Sequence, residues 1–163
     1  MATLQGYSNI AIGAARIFGI DLMENFKRPY FAASIREFWR RWHISLSTWF
    51  RDYVFIPLGG SRTKTAARYA FNILAVFIIS GLWHGANWTF LLWGAIHGAT
   101  YLLETSAKRF IDISGRLRWL GVVKTFIIVN LSWIFFRAES IGKAWDIITI
   151  IFSRVTLSHL PSQ

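Results

Sequence analysis

The sequence predicts an all-α, polytopic membrane helix bundle formed as a single membrane domain over residues 1–163. Three observations predict it. Of the 163 residues, 54% are hydrophobic and 17% aromatic, with nine Trp, which is too apolar and too aromatic for a soluble domain with a polar shell. Between Arg68 and Glu104 there is no Lys, Arg, Asp or Glu, yet the middle of that tract reads Trp83-His84-Gly85-Ala86-Asn87-Trp88. Ahead of it, Ser34 to Tyr53 (SIREFWRRWHISLSTWFRDY) sets Trp and Arg at helical spacing. The expected architecture is a bundle with a basic amphipathic helix in the membrane interface and a helical hairpin buried in the membrane.

Charge and cysteine content narrow the function. A formal net charge of +10 would suit nucleic acid, but no nucleic-acid module is present and the basic residues flank apolar segments, as cytoplasmic membrane loops do. No nucleic-acid partner is expected. The absence of Cys excludes a disulfide framework, a thiolate metal site and a cysteine acyl-enzyme. The N-terminus, MATLQGYSNI, lacks the basic and apolar regions of a signal peptide. With an initiator-like Met but no preceding span, the chain is expected to be a fragment of something larger.

Taken in order, Gly6 to Ile20 is rich in small residues, short for a span and interrupted by Arg16. It reads as a short membrane helix packed through Gly6, Ala11, Gly13 and Ala14. MENFKRPYF breaks it, since Pro29 ends any helix and draws Arg28 into an extended conformation. Ser34 to Tyr53 reads as one helix. At about 100° per residue, Ile35, Phe38, Trp39, Trp42, Leu46, Trp49, Phe50 and Tyr53 share a broad apolar arc, while Arg36, Arg40, His43, Ser47 and Arg51 share a narrower polar one. Ser34 followed three residues later by Glu37 is a capping signal. Such a helix belongs in the interface, where its arginines meet lipid phosphates. Lipid contact leaves a His on that cationic face unexplained.

A Pro-Leu-Gly-Gly turn and a loop with Arg62, Lys64 and Arg68 follow. By the positive-inside rule the region from Lys27 to Arg68 lies at the cytoplasmic face, as does the cluster Lys108, Arg109, Arg116 and Arg118. The apolar tract between them must therefore enter and return on one side. Its legs, Tyr69 to Leu82 and Trp88 to Leu103, run roughly 14 to 16 residues, or about 21 to 24 Å, short of the ~30 Å hydrocarbon core. The turn at Trp83 to Asn87 is thus expected inside the membrane thickness. Trp119 to Phe136 is a further span, with Lys124 snorkelling near its start and Asn130 within it. Ala144 to Phe152 is a short apolar helix or the start of another span, and RVTLSHLPSQ, with His159, is a polar tail.

A polar group in hydrocarbon is costly and marks a candidate site. His84 is that group. A neutral imidazole out of bulk water can accept the proton of a hydroxyl as its oxygen attacks an acyl group, and Asn87 could donate to the developing oxyanion. The alternative for His84 is a packing histidine bonded to a neighbouring carbonyl. His97, between Ala and Gly neighbours in WGAIHG, reads as structural. Ser80, one turn before His84, suggests a covalent nucleophile, but serines in apolar helices bond back to their own carbonyls and no G-x-S-x-G elbow is present. His84 and His97 also allow a membrane haem reading, although they fall about 220° apart on an ideal helix and lack a partner His on another span. A non-catalytic scaffolding subunit is the third class. No carboxylate or His cluster stands near either site, so no metal is expected.

Two motifs in order, Glu24 to Arg62 (ENFKRPYFAASIREFWRRWHISLSTWFRDYVFIPLGGSR) and Ser80 to Gly98 (SGLWHGANWTFLLWGAIHG), resemble the membrane-bound O-acyltransferase family. The nearest branch holds the bacterial membrane proteins of alginate O-acetylation, peptidoglycan O-acetylation and teichoic acid D-alanylation. The resemblance is strong from Glu24 to Glu104 and weaker through Trp133 to Asp146. It implies an acyltransferase whose invariant histidine corresponds to His84 and whose second position, histidine or asparagine, corresponds to His43. In that family the two line a tunnel. The donor, a thioester on coenzyme A or on a carrier protein's phosphopantetheine, arrives from the cytoplasm, and the acceptor comes from the opposite face.

The resemblance thus implies transfer of an acyl group, acetyl by the branch it resembles, to a hydroxyl of an exported polysaccharide or relay protein. It also implies a multi-pass protein of the bacterial cytoplasmic membrane, surrounded by membrane lipid, with a periplasmic or extracellular acyltransferase partner and no tightly bound cofactor. Arg36, Arg40 and Arg51 would attract donor phosphates. Family members carry several spans before the segment where this chain begins, so it is expected to be a partial member that needs those helices for activity.

Overall fold

A computed structural model describes residues 2–107 and 117–157. Lys108, Arg109, Arg116 and His159 lie outside the described residues. Among the described residues the fold is all-α, without strands. The first helix, α1 (Ala2–Ile17), closes on Gly19 at φ 71°, where the Ile20 N–H donates to the Ala15 carbonyl at 3.0 Å, a left-handed glycine cap. Its small-residue face does not pack as expected. A Cβ placed on Gly6 or Gly13 would meet nothing within 4 Å, and Ala11 and Ala14 are exposed. Small residues allow close approach, but here no other described segment seats against them.

Arg28 is left-handed, at φ 47° and ψ 56°, and not extended. The reason is a chain reversal. The Lys27 N–H donates to the Arg41 carbonyl at 2.9 Å, and the Arg28 carbonyl accepts from Phe31 N–H at 3.2 Å and from Arg41 Nη1 at 3.4 Å. A short 3-10 turn, Pro29–Phe31, leads on to the next helix.

The segment expected as one interfacial helix is broken into three. Helix α2 (Ile35–Trp39) stops after little more than a turn, His43 bends the chain, α3 (Ile44–Phe50) resumes, and a π-turn (Arg51–Phe55) completes it. The cap is as expected: Ser34 Oγ accepts the Glu37 N–H at 3.1 Å, and Glu37 Oε2 accepts the Ala33 N–H at 2.7 Å. Glu37 also receives Arg41 at 2.6 Å and Arg118 at 3.0 Å. Burial opposes its ionisation, but the hydrogen bonds from Arg118 and Ala33 and the Arg41 charge outweigh that and hold the carboxyl below its usual range.

Helix α2 does not lie flat in the interface. Ala32, Ile35 and Phe38 form a fully buried cluster with Val129 of α6 (Arg118–Arg137). The Ile35 N–H donates to Glu104 Oε2 at 2.8 Å, while the Trp39 ring meets Trp93 at 5.7 Å and His97 at 5.2 Å. Rising residue numbers in α2 thus pair with falling numbers in α5 (Trp88–Ala107), so α2 descends antiparallel along it. Burying Ile35 and Phe38 yields about 1.5–3 kcal/mol each, which exceeds the ~1–2 kcal/mol that one left-handed residue costs.

Thr65 caps α4 (Ala66–His84), its Oγ1 accepting the Arg68 N–H at 3.2 Å. Helices α4 and α5 form the expected hairpin. They touch through glycine: a Cβ on Gly81 would run into the Phe90 carbonyl, and one on Gly94 into the Phe77 carbonyl. The legs are longer than the sequence implied, 19 and 20 residues, or about 28–30 Å of helix. Both helices extend into the polar segments at the base, so their helical length as a whole is comparable to the thickness of a hydrocarbon core. Trp83 and Trp88, 60% and 74% exposed, flank that apex.

Helices α4 and α6 are long and apolar enough to cross a membrane, and α6 coincides with the expected span. Lys124, its side chain partly exposed, pairs with Glu104 at 2.6 Å. Asn130 Nδ2 donates to the Phe126 carbonyl one turn back, at 2.7 Å. The last helix, α7 (Ile141–Leu157), buries Ala144 against the cluster of Trp93 and Phe135.

Candidate active site at the hairpin apex

His84 is the last residue of α4. The next residue must be glycine for two reasons: Gly85 has φ 157°, and a Cβ there would stand 2.7 Å from the Phe90 ring. The half-buried His84 ring sits in an aromatic slot. Phe136 of α6 lies at 4.9 Å, Trp83 at 5.0 Å and Trp93 at 5.5 Å, all nearly edge-on, with Phe90 at 6.3 Å.

Asn87, expected as an oxyanion donor, is engaged at both ends of its amide. Oδ1 accepts the Thr89 N–H at 3.2 Å, capping α5, and Nδ2 donates to the Glu139 carbonyl at 3.1 Å. It closes the apex and ties it to the turn between α6 and α7. One amide hydrogen is left for any other acceptor.

His43 precedes α3 with φ 43° and ψ 57°, a left-handed conformation that histidine adopts more readily than most residues. Two backbone bonds hold this bend against the segment before it. The Ile44 N–H donates to the Asn25 carbonyl at 3.1 Å and the Ser45 N–H to Asn25 Oδ1 at 2.9 Å. Phe26 lies 6.2 Å from the His43 ring. Among the described residues the His43 Nδ1 is buried without a hydrogen-bond partner, and burial holds the imidazole below its ordinary range.

The two predicted histidines, 41 positions apart in sequence by their numbers, 84 and 43, make no direct contact among the described residues but stand at the two ends of one aromatic cluster. A continuous aromatic wall joins their surroundings: Phe26 to Trp42 at 5.0 Å, Trp42 to Trp133 at 5.2 Å, Trp133 to Trp93 at 5.9 Å, and Trp93 to His84 at 5.5 Å.

Beside this wall a cavity of about 450 Å³ opens between the broken segment and the hairpin, and Arg36, Arg40, Arg51, Ser47, Ser80 and Tyr101 supply its polar lining. The break has not scattered the expected polar arc, because Arg36, Arg40, Ser47 and Arg51 still face this one space. Among the described residues Arg36 and Arg40 have no acidic partner. Arg51 does: Nε and Nη2 donate to the two Asp52 oxygens at 2.7 and 3.2 Å, and that hydrogen bond and charge hold the Asp52 carboxyl below its usual range. Neither histidine lines the cavity, but Ile44 and Ser80, next to His43 and one turn before His84, do.

His97, read as structural, is fully buried, with Trp93, Trp39, Phe77 and Phe38 packed on its ring at 5.0, 5.2, 6.2 and 6.3 Å. Its Nε2 is 2.9 Å from Ser132 Oγ. The His97 ring is thus committed to packing, with Nε2 engaged by Ser132, as the structural reading expected. The sequence reading missed Ser132. Gly121, Thr125, Val129 and Ser132, all buried, recur at helical spacing, and that small-residue stripe was the available signal.

The description of the membrane-bound O-acyltransferase family matches residues 2–141. A probable alginate O-acetylase of Azotobacter vinelandii is 49% identical over 148 residues, covering 91% of this chain and 29% of that protein. The peptidoglycan O-acetyltransferase of Helicobacter pylori is 40% identical over 165 residues, covering 97% of this chain and 31% of that protein. The teichoic acid D-alanyltransferase of Bacillus subtilis is 36% identical over 123 residues, covering 71% and 30%. The chain thus spans about three tenths of the length of these relatives.

Proposed function

The chain belongs to the membrane-bound O-acyltransferase family, and from that premise we propose that it moves an acyl group, acetyl first of all, from a cytoplasmic thioester to a hydroxyl. The acceptor is an exported polysaccharide or a relay protein that passes the group on, at the bacterial cytoplasmic membrane. Relatives named for alginate, peptidoglycan and teichoic acid support an exported polymer as the end of the route. The observation that supports the reading is one aromatic cluster that links His43, on a left-handed bend, to His84, on the hairpin apex, with a cationic cavity lined by their neighbours Ile44 and Ser80.

His84 is the general base. It takes the proton of the acceptor hydroxyl as the oxygen attacks the thioester carbonyl carbon. A carbon–oxygen bond forms, the carbon–sulfur bond breaks, and the leaving thiolate takes up the proton that His84 accepted. His43, whose charged form burial disfavours, orients the acceptor or the departing sulfur. Arg36 and Arg40 draw the phosphates of coenzyme A or of a carrier protein's phosphopantetheine into the cavity. Arg51, already paired with Asp52, adds less. The donor is a co-substrate, and no resident cofactor enters the step. The relatives are longer than this chain, so activity is proposed to draw also on segments equivalent to those of the relatives that it does not cover, and on an acyltransferase partner beyond the membrane.

The test is His84→Ala in the full-length protein, with polymer acylation scored and membrane insertion checked. Acylation is expected to fall by about 10²–10⁴, the usual weight of a general base. Unchanged acylation by an inserted protein removes His84 from the mechanism.

A further inference from the structure

The proposed reaction makes no use of the most deeply buried polar pair in the bundle. His97 of α5 and Ser132 of α6 are both fully buried, and their side chains meet at 2.9 Å. Proton accounting fixes the direction of that bond. Ser132 Oγ spends its only hydrogen on the Val129 carbonyl at 2.8 Å, so it accepts from His97, whose Nε2 carries the proton. His97 Nδ1 is then left as an acceptor, buried without a partner among the described residues. The bond is directional, interhelical and shielded from water.

Its place in the two helices gives it a use. Trp93 lies four residues before His97 on α5, and Phe136 four residues after Ser132 on α6, so each stands one turn toward the apex on the same face. Trp93 and Phe136 meet each other at 5.2 Å. They are also two walls of the His84 slot, at 5.5 and 4.9 Å. Among the described residues neither wall is tethered to the other by a polar contact, and Trp93 Nε1 has no partner.

We propose that His97 and Ser132 are positioning residues: their hydrogen bond fixes the spacing of α5 and α6 one turn below the apex and so holds Trp93 and Phe136 against the His84 ring. The catalytic consequence rests on the assignment of His84 as the base. The geometric claim does not.

The test uses the full chain in lipid nanodiscs and diethyl pyrocarbonate, which carbethoxylates accessible imidazoles, with His43 and His84 followed separately by peptide mass spectrometry. Ser132→Ala is expected to speed modification of His84 by about fivefold, the equilibrium weight of one ordinary hydrogen bond, and to leave His43 unchanged. Ser132→Thr, which keeps the hydroxyl, restores the parent rate. An unchanged His84 rate in Ser132→Ala, or equal acceleration at both histidines, overturns the proposal. Should Ser132→Ala fail to insert, His97→Gln and His97→Leu make the same comparison, since glutamine can donate to Ser132 Oγ and leucine cannot. Equal His84 rates in those two overturn it as well.

In the full-length protein Ser132→Ala lowers kcat with KM unchanged, because the slot holds the base and not the substrate. If His84→Ala retains acylation while Ser132→Ala still speeds His84 labelling, the clamp stands and the assignment of the base falls.

Discussion

His43 holds its backbone at φ 43°, in a region where a side chain with a branched β-carbon is crowded by its own carbonyl. Histidine and asparagine tolerate it, and valine does not. His43→Asn should therefore leave the fold intact, whereas His43→Val should lose about 1–2 kcal/mol, read as a shift in the denaturant midpoint in detergent. The same residue predicts a pH dependence. Burial lowers its imidazole from the free value of 6.5, so below that pH the unfolded chain binds a proton that the folded chain refuses. Stability should fall as pH drops through and below 6.5, and His43→Asn should flatten that fall. An identical pH profile in the variant would remove His43 as its source. The sequence made His43 conspicuous by its basic neighbours. It could not show the left-handed bend, because Asn25, which accepts from Ile44 and Ser45, lies outside the helical period.

Helix α2 and the α4–α5 hairpin show why one element was legible and the other was not. The hairpin declares itself through a tract without charge and a polar apex, and its glycines sit where two backbones touch. A Cβ on Gly94 would meet a backbone carbonyl, whereas one on Gly98 would stand 3.0 Å from Leu74 Cδ2, the end of a flexible side chain. Gly94→Ala should accordingly destabilise the hairpin by about 1–3 kcal/mol, and Gly98→Ala by clearly less. Equal midpoints for the two variants in denaturant unfolding would count against this contact. In α2, the amphipathic pattern over Ser34 to Tyr53 is real, since Arg36, Arg40, Ser47 and Arg51 still face one cavity. The pattern cannot say that a shared face is reached by bending around a corner and not by running straight. The deciding terms are long-range: Ile35 and Phe38 are buried against Val129 of α6, and the Ile35 N–H finds its acceptor in Glu104.

At the scale of the whole molecule, leg length decides where the site stands in the membrane. Legs of roughly 14 to 16 residues would bury the apex well short of the far side, but helices of 19 and 20 residues give about 28–30 Å, the depth of a hydrocarbon core. The exposure of Trp83 and Trp88 on either side of the turn suits an interfacial aromatic pair. The broken segment enters from the opposite end, where Glu37 gathers Arg41 and Arg118 and Glu104 pairs with Lys124. Donor and acceptor would then approach His84 from the two sides of the bilayer without the protein turning over. Because the chain contains no Cys, single cysteines report on this arrangement cleanly. Ser61→Cys and Ser106→Cys, at the base of the hairpin, should react with a membrane-impermeant maleimide only from the face that carries Arg62 and Arg68. Ala86→Cys, at the apex, should react only from the other face. A cysteine at position 86 shielded from both sides would mean that the apex stops inside the bilayer, and the acceptor would then have to reach His84 through a passage in the protein.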